Sequence, residues 1–124
     1  MSQTYSLLQD IDCTGVEFVP IANLDNFFNG KLFGNGFTIK NLTINCTCQC
    51  CGLFEKTGGA TISNLVFKDF SIQGNSKNNV GVLAGRAYTT TISNVTITSS
   101  TGGNVTGNGI FHLFFYPKLF SKVF

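Results

Sequence analysis

The chain repeats one seven-residue phrase three times: TIKNLTI at residues 38–44, TISNLVF at 61–67 and TISNVTI at 91–97. The phrases begin 23 and then 30 residues apart. Internal repeats with a period of about 20 to 50 residues are typical of solenoids, in which each winding buries its apolar face against its neighbours. The repeat therefore predicts a stack of similar windings.

The composition favours β-structure over helix. Of the 124 residues, 14 are Gly and 13 are Phe, only 11% are charged, and Asn, Thr and Ser are abundant. These residue types suit strands and tight turns better than helices, and the length suits a single domain. We predict an all-β fold, a parallel β-helix of about three to four coils over residues 1–109.

The phrase also predicts a corner. Apolar residues occupy its second, fifth and seventh positions, and a straight strand would point the second and fifth to opposite faces. A bend must therefore lie between them, where the fourth residue is always Asn, which adopts positive φ more readily than most non-glycine residues. We predict that Asn41, Asn64 and Asn94 form corners stacked along the axis, with their amides hydrogen-bonded as an Asn ladder.

Four asparagines lie in N-x-Thr glycosylation patterns: Asn41, Asn45, Asn94 and Asn104. Because the ladder would engage Asn41 and Asn94, Asn45 and Asn104 are the better candidates for glycosylation. The alternative is that all four are plain turn and strand residues.

A second recurring element is rich in glycine. GLF at residues 52–54 and GVLAG at residues 81–85 begin 29 residues apart. A glycine without Cβ allows one winding to approach the next closely, and the apolar residues after it predict a short buried strand.

Five segments resemble the GLUG-motif β-helices, adhesin-like repeat modules of bacterial surface proteins. They are LLQDID at 7–12, FVPI at 18–21, FNG at 28–30, GNGFTI at 34–39 and GLF at 52–54. The resemblance implies a right-handed parallel β-helix within a larger surface or secreted protein. It also implies a stalk, spacer or adhesive shaft that contacts glycans or other surface proteins and has no catalytic residues or cofactor.

Residues 110–124 depart from the repeat. The stretch begins IFHLFFY and is expected to be either an apolar cap over the open end of the helix or a truncated end. It is shorter than the roughly 20 apolar residues of a membrane helix, so no membrane span is predicted. The first ten residues lack the pattern of a secretory signal, so an extracellular or cell-surface location rests on the resemblance.

The sequence offers little material for an enzyme. Asp10 and Asp12 alternate onto one strand face, where paired carboxylates could perform acid–base chemistry or contribute to a calcium site, but no acids recur in register across coils. His112 is the sole histidine, which leaves a Ser/His/Asp or Cys/His site dependent on the atypical tail. We predict no catalytic residues, with a carbohydrate-binding or polysaccharide-cleaving β-helix as the alternative.

Four of the five cysteines form a thiol cluster: Cys46, Cys48, Cys50 and Cys51. Alternation places the first three on one strand face, where thiolates could bind a soft metal, but the spacing lacks the turn that usually wraps a zinc ion. The preferred interpretation turns Cys51 inward beside Leu53 and the alternate cysteines outward, with a pairing to Cys13 left open. No metal is predicted, and the redox state stays undecided.

Basic residues are scattered, and the net charge is +2. A stripe of Lys and Arg that could neutralise a row of phosphates is not present, so a nucleic-acid partner is not expected.

Overall fold

The structure is a computed structural model that describes residues 3–23, 25–47, 49–74, 79–98, 104–106 and 122–123. These residues form strands, turns and irregular segments, with no helix among them. Mostly parallel strands wind into a β-solenoid of about three turns. The predicted all-β parallel β-helix is therefore confirmed.

The strands follow one another in a regular order. They are β1 (Thr4–Ser6), β2 (Ile11–Asp12), β3 (Lys31–Phe33), β4 (Thr38–Asn45), β5 (Cys50–Cys51), β6 (Phe54–Gly58), β7 (Thr61–Gln73), β8 (Asn79–Val80), β9 (Ala84–Tyr88), β10 (Thr91–Thr98), β11 (Asn104–Thr106) and β12 (Lys122–Val123). We call residues 4–30 the first winding, 31–60 the second and 61–90 the third; β10 begins a fourth.

Strand β7 is the centre of the largest sheet. It pairs in parallel with β3 and β4 of the second winding on one side and with β10 and β11 on the other. Thr4 lies opposite Lys31, Lys31 opposite Thr61, and Thr61 opposite Thr91. Successive windings measured at this position are thus 27, 30 and 30 residues long.

The predicted bend in each phrase is confirmed by the backbone. Asn41, Asn64 and Asn94 have φ of 58°, 55° and 53°. In this left-handed region an asparagine is tolerated better than most residues because its short polar side chain bonds locally. Apolar residues on both sides of each corner consequently face the interior, as Ile62 and Leu65 do around Asn64 with no exposed surface.

The interior is filled by apolar side chains from all windings. Ile62, Leu65 and Phe67 of the third winding are fully buried, and Phe28 of the first stacks on Phe54 of the second with ring centroids 4.6 Å apart. This packing leaves the axis of the solenoid solid and supplies most of the hydrophobic stabilisation.

The glycine-rich elements stack as the sequence predicts. Two short parallel sheets, β5–β8 and β6–β9, continue the winding after the large sheet. A Cβ on Gly52 would lie 2.6 Å from the carbonyl oxygen of Gly81 and 2.9 Å from Cα of Ala84. Glycine at position 52 is therefore required by the close approach of the third winding.

The first winding differs from the others in exposure and charge. Leu8, Val16 and Val19 are exposed there at 86%, 55% and 80%. Four of the six acidic residues also lie before residue 31, whereas every Lys and Arg lies after residue 30. Negative charge is thus concentrated at the beginning of the solenoid and positive charge in the later windings.

At the other end, β12 pairs antiparallel with β10, with Thr96 opposite Val123. Apart from the backbone of β12, the expectations for residues 110–124 and His112 lie outside the described residues. None of the described residues belongs to a helix long and apolar enough to cross a bilayer.

Candidate functional site

Two columns of corner residues run along the large sheet. In the first column, Asn94 Nδ2 donates a hydrogen bond to Asn64 Oδ1 at 2.6 Å. Asn35 occupies the same corner in the second winding with φ of 55°, and the adjacent Gly36 amide donates to the Asn64 carbonyl oxygen. The Asn35 side chain donates in turn to the carbonyl oxygen of Leu7 at 2.9 Å.

Asn41 belongs to the second column. The pairing of Lys40 with Lys68 and of Leu42 with Phe70 puts Asn41 opposite Asp69, which has φ of 54°. The expected ladder of Asn41, Asn64 and Asn94 is therefore corrected, since Asn41 lies in a different column from the other two. The physical reason is that each winding turns two such corners, and the 23-residue interval runs from the second corner of one winding to the first corner of the next.

The second column joins the first winding to the second. Asn41 Nδ2 donates to Asp12 Oδ1 at 3.0 Å and to Thr14 Oγ1 at 2.9 Å. Asp10, two residues earlier, accepts from the Thr38 amide at 2.8 Å. Both carboxylates predicted to share a face are thus acceptors for groups of the next winding.

Hydrogen bonds keep Asp12 ionised. The Thr14 hydroxyl, the Asn41 amide and the Thr14 backbone N–H all donate to it, and with a smaller contribution from the charge of Lys40 they lower its pKa to about 2. A general acid needs a pKa near the working pH so that it carries a proton. Asp12 at neutral pH is a carboxylate that accepts hydrogen bonds, which suits a structural role.

A shallow depression of about 340 Å³ lies beside this column, with Thr14, Asn41 and Asp69 in its lining. Nowhere in the described part of the chain do three or more His, Cys, Asp or Glu side chains come together as a metal site would require. The depression offers amide, hydroxyl and carboxylate groups, which can hydrogen-bond a polar ligand.

The first glycosylation candidate is at the surface. Asn45 is exposed, and its Nδ2 donates to Glu17 Oε1 at 3.0 Å. A glycan on this nitrogen would have to displace the Glu17 contact. Asn104 begins β11, and its side chain lies outside the described residues. Glycosylation at both positions stays a prediction.

The cysteine cluster is arranged differently from the expectation. Cys51 is fully buried, as predicted, but it forms a disulfide with Cys46 across a Cα–Cα distance of 5.9 Å. Cys50, expected on the outside, is also fully buried, because the missing side chain of Gly85 leaves room for its Cβ. Cys48 lies outside the described residues.

Cys13 lies apart from that disulfide as a buried thiol. Burial, and to a smaller extent the neighbouring Asp12 charge, raises its pKa. The thiol is therefore protonated and weakly nucleophilic at neutral pH.

Comparison with known proteins gives the family. The model for the M26 IgA1-specific metallo-endopeptidase N-terminal region matches residues 1–99. The chain belongs to this family. Among curated proteins, halomucin from Haloquadratum walsbyi is 38% identical over 112 aligned residues, which cover 81% of this chain and 1% of halomucin. The chain thus spans about 1% of the length of this relative. No solved structure matches it.

Two corner residues of this M26 N-terminal region were missed from the sequence. Asn35 lies between glycines in GNG, and Asp69 lies in VFKDFSI, which repeats the apolar spacing of TIKNLTI without its Thr and Asn. A comparison of apolar spacing alone, with Asp accepted in place of Asn, would have aligned residues 38–44 with 66–72.

Proposed function

We propose that residues 1–109 are a β-solenoid segment of a larger extracellular or surface protein, in which they act as a spacer or adhesive shaft. The segment performs no reaction of its own, and residues 110–124 serve as its cap. The resemblance to adhesin-like GLUG-motif modules is part of this proposal.

One observation carries the proposal. The interior is closed by apolar side chains such as Ile62 and Phe67, and the paired carboxylates of the first winding are spent on hydrogen bonds to the second. What the solenoid offers is therefore a rigid body and its outer faces. The metallopeptidase motif H-E-x-x-H needs two histidines, whereas these 124 residues contain one.

The comparisons support an extracellular role. The family description refers to the N-terminal region of an IgA1-specific peptidase, and immunoglobulin A1 is an extracellular protein. The name halomucin describes a mucin, a term for extracellular glycoproteins. Glycosylation at Asn45 and Asn104 belongs to the same proposal, because such proteins carry their glycans on exposed loops and strands.

The location is tested with an epitope-tagged chromosomal copy in the native host. We expect a membrane-impermeant biotin reagent to label the tagged protein on intact cells or in the medium. Labelling that appears only after lysis would overturn the extracellular assignment.

The absence of catalysis is tested with the purified chain. Incubation with pectin, alginate and IgA1 is expected to release neither new reducing ends nor peptide fragments. Cleavage that disappears in the Asp12→Asn variant would instead establish an enzyme.

A further inference from the structure

An aromatic pair marks the outer face of the β6–β9 sheet. The ring of Phe27 lies over Gly58, where an added Cβ would come within 2.9 Å of its Cε2 atom. Gly58 in turn lies opposite Tyr88 in the next winding. Phe27 and Tyr88, 61 positions apart in the sequence, are thus brought to one face because a glycine separates them.

Lys56 places its ammonium against both rings. Its Nζ is 4.7 Å from the centroid of Phe27 and 5.4 Å from that of Tyr88. These distances are within the range of cation–π attraction, which holds the ammonium near the rings and orients it. Tyr88 remains 44% exposed, so this arrangement is open to solvent.

A second cation lies beside the first. Arg86 is directly opposite Lys56 in the β6–β9 pairing, so the two side chains leave the same face of neighbouring strands. The oxygen of the buried Asn79 amide accepts from Arg86 Nε at 2.6 Å and Nη2 at 2.9 Å. This contact orients the guanidinium and leaves the other N–H donors of its fork for a ligand.

Two cations side by side repel each other, and like charges in this position destabilise a sheet. Neither Lys56 nor Arg86 has a carboxylate within ion-pair distance among the described residues. The charges of this patch, which comprises Phe27, Lys56, Arg86 and Tyr88, are therefore open to an anion from outside.

We propose that the patch binds an anionic polysaccharide, with a carboxylate or sulfate between Lys56 and Arg86 and a sugar ring against Tyr88. Aromatic rings provide an apolar surface for the C–H face of a pyranose, and the two cations provide the charge-assisted donors that an acidic sugar requires. The proposal extends the spacer role by giving the shaft a ligand.

A nucleic acid is a poorer fit to the same chemistry. Its affinity comes from many phosphate contacts at once, and the patch has two cations in a chain of net charge +2. Binding to single-stranded DNA is therefore included in the test as a competing outcome.

The test is affinity gel electrophoresis of the full chain with polygalacturonate, dextran sulfate, neutral dextran and single-stranded DNA. We expect retardation by one or both acidic polysaccharides and none by neutral dextran, and the two acidic probes distinguish a carboxylate from a sulfate ligand. Lys56→Gln and Tyr88→Ala should each weaken binding about tenfold, whereas Lys56→Arg should retain it.

Lys68→Gln is the matched control. Lys68 also lies opposite another cation, Lys40, but that pair has Asp12 3.9 Å from the Lys40 ammonium and no aromatic ring in the same arrangement. The control should keep its affinity within about twofold, because it removes the same unit of charge from a different site. Equal losses in Lys56→Gln and Lys68→Gln, loss of binding in Lys56→Arg, or tighter binding to DNA would overturn the proposal. Because the spacer role is tested on cells, it stands if this test fails.

Discussion

Asn64 and Asn94 each meet two demands with one side chain. Their backbones turn the corner at positive φ, and their amides bond to each other between windings. Both residues are exposed, so the hydrogen bond itself contributes little, and the backbone conformation is the larger part of their contribution.

The comparison of Asn64→Ala with Asn64→Gly separates these two contributions. Alanine loses the amide and is strained at φ of 55°, and we expect it to lower the free energy of unfolding by about 1 to 3 kcal/mol. Glycine loses the amide without the strain and should cost less than alanine. Urea unfolding measures both variants, and a glycine variant as unstable as the alanine variant would contradict the backbone explanation.

The Asp12 contacts predict a pH dependence. Because the pKa falls from 3.8 to about 2 on folding, the carboxylate stabilises the native state above pH 4, and this contribution is lost as pH falls toward 2. The difference in urea midpoint between wild type and Asp12→Asn should therefore shrink from pH 5 to pH 2. Asp25→Asn is the control, and a difference that is independent of pH over this interval would contradict the assignment.

At the scale of the strands and corners, the repeated phrase predicted local structure better than register. Its apolar spacing and its Asn at the fourth position foretold the bend at residues 41, 64 and 94. Register depends on which corner each phrase serves, and the phrase at 38–44 pairs with 66–72 rather than with 61–67. Two extra residues in the turn at 34–37 shift this alignment, and no local pattern announces them.

The cysteine cluster shows the same limit. Alternation along a strand predicted the inward side chain of Cys51, and its burial agrees. It could not predict the burial of Cys50, which depends on the space left by Gly85, 35 positions later in the chain. The aromatic–cation patch likewise depends on residues that only the stacking of windings brings together.

Close packing between windings is tested at Gly52. Gly52→Ala inserts a methyl group against the backbone of Gly81 and Ala84 and should destabilise the fold by about 1 to 3 kcal/mol. Gly36→Asn is the control, because Gly36 has φ of 79° and open space around its Cβ position. Thermal unfolding should show a clear loss for the first variant only, and equal stability of both would contradict the close approach at Gly52.

At the scale of the whole molecule, stability is built by neighbouring windings. Thr61 lies opposite both Lys31 and Thr91, so the third winding begins and ends at equivalent positions. In solenoids each added unit contributes its own stability and one interface with its neighbour.

A duplicate of residues 61–90 inserted after Thr90 is therefore expected to stack in register. The urea m-value should rise by roughly a third as about three windings become four, and the unfolding midpoint should not fall. The control duplicate carries Ser in place of Ile62, Leu65 and Phe67, which are buried in the original. An unchanged m-value for the unaltered duplicate would show that the added winding does not join the cooperative unit.

The distribution of charge along the axis gives the solenoid an electric dipole. The first winding contains Asp10, Asp12, Glu17 and Asp25 and no Lys or Arg, and the cations follow from Lys31 onward. At a positively charged interface such a body adsorbs with its acidic end downward and stands upright, and at a negatively charged interface it turns over. In either orientation the flanks of the column remain turned sideways into the solvent, so dense adsorption would leave them accessible.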